Sequence, residues 1–315
     1  DRMRGVEVFL NSIPIASLVA VREGMKSQGV TGNTIGIYES LMDSKSLFLT
    51  PNTESIYAMA WLDLSKGPVV VESPPNVLGI VDNFWFNYVA DLGNAGPDQG
   101  RGGRFLFLPP GYDGPVPEMG FHVYQSETLG NILMWRGFLV DNEPDAAVAS
   151  MKANTRMYPL AQMENPPEQE FIDLSGLAFN TIHANDYSFY AEVNEAIQEE
   201  PSGSLSPELA GQLAAIGIQK GKPFEPDERM QSILTDSAKV ANAIARTLIF
   251  DTRDEEAYLY KGSSWKTAFV GGSHLFEYED GGRRLDARSM FFYYATMITP
   301  AMARKIIGAG SQYAL

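Results

Sequence analysis

Between residues 91 and 103 the chain sets Asp91, Asn94, Asp98 and Arg101 among Gly93, Gly96, Gly100, Gly102 and Gly103. The three oxygen-bearing side chains, closely spaced in a flexible loop, are the donor type that a divalent cation such as Ca²⁺ prefers. The spacing is not that of an EF-hand, and Arg101 and Arg104 would repel a metal. The glycine amides together with Arg101 offer a second chemistry, a backbone nest for an anion. A third reading needs no ligand: a turn pinned by an Asp–Arg pair, with glycines supplying positive φ.

A second constellation, Asn52, Thr53, Glu54 and Tyr57, leads into Trp61 and Asp63. Polar groups beside aromatic rings at the start of a strand suit a sugar or another small polar ligand. Glu54 is a general acid or base there if burial tunes it, and a turn with side-chain-to-backbone bonds is the scaffold alternative. A third group joins Trp265, Lys266, Asp286 and Arg288 with Tyr293 and Tyr294. Arg246 within "NAIARTLIF" predicts a buried ion pair, with Asp286 as its candidate carboxylate. His122, His183 and His274 are too dispersed for a helix-borne metal motif. No G-x-S-x-G elbow, Walker motif or G-x-G-x-x-G turn occurs.

The elements that must position these groups change character along the chain. The opening "GVEVFLNSIPIASLVAVREGM" has helical spacing with a kink or restart at Pro14. Alternation over 55–63, the Val69–Val71 run and the segments 79–91, 104–108, 121–125 and 131–140 predict short strands parted by Gly/Pro-rich turns. Helices follow: one opened by Pro144, one capped by Asn185, one opened by Ser206-Pro207 and a long one over 226–250. β texture returns over "SSWKTAFVGGSHLFEYEDGGRRLDARSMFFYYATMI", before a short helix from Pro300 to Gly308. The expectation is an α+β chain. An antiparallel β-sandwich or jelly-roll domain spans 1–142, a helical middle 143–260, and an incomplete second β domain 261–315.

Composition narrows the functional classes. A net charge of −15 across 315 residues, without a basic run, argues against nucleic acid and anionic membrane surfaces as partners. No apolar stretch is read as bilayer-spanning. The absence of cysteine excludes disulfides, thiolate nucleophiles and cysteine-ligated metals. It fits a periplasmic or secreted location, with the cytoplasm as the alternative.

The runs "LTPNTESIYAMAWLDLSKGPVVVESPP", "DLGNAGPDQGRGGRFLFLPPGY", "EEPSGSLSPELAGQLAAIGIQKGKPFEPDERM" and "YYATMITPAMARKIIGAGSQYA" resemble bacterial proteins that pair two domains of unknown function, 1254 and 1214. The resemblance implies an N-terminal β-sandwich and a second β domain, and carries no activity or catalytic residue. It also implies a continuation past Leu315 associated with that second domain. Two functional readings stand. In one, Glu54 and Asp91 act as catalytic carboxylates of a hydrolase-like enzyme or binder of a small polar or carbohydrate-like ligand. Asn52, Tyr57, Trp61, Trp85, Asp98 and Arg101 then line the site. In the other, the chain is a non-catalytic assembly protein forming homo-oligomers through aromatic faces.

Overall fold

The computed structural model describes residues 1–303 and 314. Contacts divide the chain into a β unit, Val21–Ile182, and a helical unit, Asp1–Ala20 with His183–Leu315. The fold is mixed α/β with several sheets and no closed barrel.

In the β unit, one sheet is ordered β11-β1-β3-β9-β5-β6. Its strands are β1 (Ile35–Ile37), β3 (Ser55–Asp63), β5 (Val77–Asn83), β6 (Tyr88–Gly93), β9 (Gly130–Phe138) and β11 (Phe171–Asp173). A second sheet runs β10-β4-β7-β8, from β4 (Val69–Ser73), β7 (Gly103–Leu108), β8 (His122–Gln125) and β10 (Arg156–Pro159). Two short strands, β2 (Ser46–Leu47) and β12 (Phe179–Asn180), pair separately. Period-two alternation gives β3 its inward face. Ile56, Ala58, Ala60 and Leu62 join Leu133 and Trp135 of β9 and Phe105 and Phe107 of β7 in one core. The helix α2 (Asp145–Asn154) adds Ala147, Val148 and Met151 to the same core.

Several expectations are corrected. The sheets are not wholly antiparallel: β1–β11, β7–β8 and β2–β12 pair in parallel. The expected strand over 79–91 is two strands, because Asn83 Oδ1 accepts the amides of Trp85 and Asn87 and turns the chain. The middle segment 143–260 also supplies β10, β11 and β12 to the sheets. Within 261–303, where a second β domain was expected to start, the described elements are the helices α6 (Leu285–Tyr294) and α7 (Pro300–Ala303), a 3₁₀ turn and isolated bridges. Ala287, Ser289, Met290, Phe291 and Phe292 of α6 are all buried, so that aromatic-rich run packs on more than one face of a helix. The expected helix end beyond residue 303 lies outside the described residues.

The helical unit includes the first part of α1 (Arg2–Ser27), then α3 (Ser188–Glu199), α4 (Pro207–Ala215) and α5 (Glu228–Phe250). Ser206 caps α4 by accepting the Leu209 amide, and Asp227 caps α5 by accepting that of Met230. The helix α1 runs unbroken through Pro14. By length and composition it is apolar enough to cross a membrane, with a window of mean hydropathy 1.4, which the sequence reading did not anticipate. Since 67% of that window is buried inside the protein, core packing accounts for its apolar character.

Candidate functional site

The strands β6 and β8 are the edges of their respective sheets, and the residues they carry come together. Buried Asp91 on β6 receives the Tyr88 hydroxyl at Oδ2 (3.4 Å), while its own amide donates to that hydroxyl oxygen (3.1 Å). Asp98, 3% exposed, accepts the Gly93 amide at Oδ1 (2.8 Å). Its Oδ2 is sealed from solvent and has no hydrogen-bond partner. On β8, Tyr124 stacks against Phe107 with ring centroids 5.9 Å apart, and His122 lies 5.0 Å from the Phe105 ring. Gly103 packs closely between them: a Cβ there would stand 3.3 Å from Asp98 Cβ, 3.5 Å from Phe105 Cε2 and 3.6 Å from His122 Cδ2.

Electrostatics place both carboxylates near Tyr124, and Asp91 beside Tyr88. Burial, reinforced by the Asp91 charge, pushes the Tyr88 hydroxyl far above its ordinary value. Burial and then the charges of Asp91 and Asp98 raise that of Tyr124. Both phenols therefore stay protonated, and the site is two carboxylates flanked by two hydroxyls.

Backbone turns fix the loop that carries Asp98. Asn94 N donates to Val77 O (2.7 Å), Asn76 N to Gly100 O (3.0 Å) and Arg101 N to Asp98 O (3.1 Å). The glycines do supply positive φ, at Gly93, Gly100 and Gly102. The expected Asp–Arg pin is not what closes the turn: exposed Arg101 bonds Gln99 Oε1 (3.0 Å). Asn94 is exposed, and among the described residues no group of three or more His, Asp or Glu side chains can hold a metal ion.

The other candidate residues stand elsewhere on the β unit. Asn52 Oδ1 accepts the Glu54 amide (3.0 Å) and the Ser55 hydroxyl (2.8 Å), closing the turn before β3. Glu54 is exposed. Tyr57 is buried under the Arg136 guanidinium, 5.8 Å from its ring. Trp61 lies roughly 13 Å further along the same strand. It meets Phe84 edge-on (5.1 Å), with Arg22 over both rings. Buried Trp85 stacks on Phe84 (5.9 Å). In the order β3-β9-β5-β6, three strand spacings, roughly 14 Å, separate β3 from Asp91. The structure thus brings Asp91 and Asp98 together and leaves Glu54, Asn52, Tyr57 and Trp61 apart from them, with Trp85 in the turn between β5 and β6. Tyr88 and Tyr124 were not singled out from the sequence; the alternation in "HVYQ", which puts His122 and Tyr124 on one face, was the available signal.

The helical unit holds a cleft of about 610 Å³ lined by Arg253, Asp254, Glu256, Tyr278, Arg284 and Asp286, among others. Buried Arg284 spans it, bonding Asp254 (3.1 Å) and Glu256 (2.9 Å) with its guanidinium 4.1 Å from the Tyr278 ring centroid. The buried arginine of the ion pair is therefore Arg284, whereas Arg246 is exposed. Elsewhere in this unit His183 is buried and keeps a lowered pKa through that burial. Its Nδ1 faces Ala184 O (2.8 Å), a carbonyl that can only accept, so Nδ1 carries the proton. The Ala184 amide in turn donates to the Glu192 carboxylate (3.1 Å).

Residues 32–159 match the family model described as "Protein of unknown function (DUF1254)". The match takes in β1 to β10 and every residue of the β6–β8 site. It covers the first of the two families that the sequence resembles; the second, 1214, is not shown. No curated protein matches the chain. Among solved structures, the crystal structure of the VPA0106 protein from Vibrio parahaemolyticus is similar with a TM-score of 0.65. The likeness covers 95% of this chain and 68% of that one at 14% identity, and at that identity it is a likeness of fold.

Proposed function

We propose that the protein binds a small polar, carbohydrate-like ligand at the β6–β8 edge through Asp91 and Asp98. The two sheets act as the halves of a sandwich that holds the two edges in place. One observation carries the reading: a sealed carboxylate oxygen, Asp98 Oδ2, without a protein donor, beside a second buried carboxylate and two protonated phenols. Buried polar atoms are satisfied in nearly all native structures, so an orphaned anionic oxygen in a polar cluster marks a place for a donor from outside the chain. The close packing of Gly103 against Asp98 supports this, since a Cβ there would press on Asp98 Cβ at 3.3 Å. The same two carboxylates are the groups available for acid–base work, which makes hydrolysis the activity to assay first.

The test is calorimetric titration of mono- and disaccharides into the wild-type protein and into Asp91→Asn, Asp98→Asn and Glu54→Gln. Binding lost in the first two variants and kept in the third is the expected result. A ligand that binds all four proteins equally, or a panel in which nothing binds, overturns the proposal.

A further inference from the structure

Resting on that reading, the geometry points to an organic ammonium group as the part of the ligand that Asp98 receives, beside Asp91 and the phenols of Tyr88 and Tyr124. Asp98 takes one bond, from the Gly93 amide, and among the described residues no Arg or Lys side chain reaches its carboxylate. The two nearest arginines in sequence are engaged elsewhere: Arg101 on Gln99, and Arg104 over the Phe121 ring at 4.6 Å. A buried carboxylate oxygen without a donor is costly, and a charged donor offsets that cost about twice as well as a neutral hydroxyl.

The neighbours are also those a cation needs. Near Asp98 stand a second carboxylate, Asp91, which accepts the Tyr88 hydroxyl, and Tyr124, which feels the charge of both acids. Partly exposed aromatic rings flank the acids, and ring faces attract ammonium groups. A bare metal ion is disfavoured, because among the described residues no third acidic or histidine ligand joins the two aspartates.

Matched probes separate this inference from the binding proposal beneath it. Glucosamine, N-acetylglucosamine and glucose share one ring and differ in the charged amine; propylamine and 1-propanol form a second pair. Calorimetric titration into the full chain at neutral pH is expected to show each amine binding at least about tenfold more tightly than its neutral partner. That corresponds to one charge-assisted bond exchanged for a neutral one, about 1.4 kcal/mol. Asp98→Asn erases the preference, while Asp63→Asn, altering an exposed aspartate at the far end of β3, leaves it intact. Should Asp98→Asn fail to fold by circular dichroism, a wild-type titration above the amine's own pKa gives the same answer, since the neutral amine should lose its advantage. Equal binding of charged and neutral probes, abolished by Asp91→Asn, overturns the ammonium assignment and leaves a polar-ligand site. No binding by any probe overturns both.

Discussion

Ser289 Oγ donates to the carbonyl oxygen of Leu10 at 2.9 Å, the carbonyl that Pro14, four residues further on, has no N–H to reach. An interior proline removes one helical hydrogen bond and usually kinks or ends the helix. Here a buried hydroxyl from α6 takes the missing donor's place, and α1 continues. Ser289→Ala should therefore cost roughly 1–2 kcal/mol, the penalty of leaving a buried carbonyl unpaired. In a Pro14→Ala background the restored amide serves Leu10, and the same serine deletion should cost less than half as much. Urea unfolding of the four proteins closes this double-mutant cycle, and strict additivity would refute the pairing.

The loop carrying Asp98 depends on one glycine more than on the others. Gly93 has φ +75°, and a Cβ there would stand 2.1 Å from the Val77 carbonyl oxygen, a backbone atom that cannot swing away. Gly111 has φ +67° with nothing within 4 Å. Gly111→Ala should lose only the conformational strain, about 1 kcal/mol, whereas Gly93→Ala should lose at least about 3 kcal/mol and weaken ligand binding with it. Thermal unfolding of both variants measures the difference.

These two examples show where the sequence was legible. The period-two alternation of Tyr57, Met59 and Trp61 against Ala58, Ala60 and Leu62 identifies β3 correctly, large side chains on one face and mostly small ones on the other, with both faces buried over 55–60. The break at Asn83 was missed because it is made by a side chain bonding two amides, with neither glycine nor proline to mark it. The run "MFFYYATMI" reads as β from its aromatic content, yet its first five residues close α6, whose burial on more than one side leaves no helical stripe to read. Asp91 and Asp98 were identifiable because a glycine-rich loop holds them near each other. Their separation from Glu54 and Trp61 follows from the strand order β3-β9-β5-β6, a long-range pairing that no local pattern encodes.

Arg284 should behave as a brace. Its side chain is 9% exposed, and it joins Asp254 and Glu256 while stacking on Tyr278. Burial works against its charge, but the bonds and charges of Glu256 and Asp254 outweigh that effect and raise its pKa. Arg284→Met should cost about 1–3 kcal/mol by stranding the two acids, and Arg284→Lys somewhat less because a point charge cannot span both. The neighbouring Arg283–Glu277 pair is 3.6 Å long with both side chains about a third exposed. Solvent screening should hold Arg283→Met below about 1 kcal/mol. Guanidinium unfolding curves of the three variants test the ranking, and equal losses at Arg283 and Arg284 would contradict it.

Glu192 makes the stability of the helical unit pH-dependent in a direction opposite to that of most carboxylates. Burial, offset in part by the Ala184 amide and aided by the charges of Asp186 and Glu195, pushes its carboxyl up to about 7 from an ordinary 4.5. The folded protein therefore holds a proton that the unfolded chain releases above pH 4.5. This contribution is fully present below that pH, is lost as pH rises through about 7, and is flat beyond. The whole change is at most about 3 kcal/mol, and residual solvent exposure reduces it. Glu192→Gln keeps an acceptor for the Ala184 amide and has no proton to lose. Unfolding free energies measured every half unit from pH 5 to 8 should fall for the wild type and lose most of that slope in the variant. Parallel curves would assign the slope to other groups.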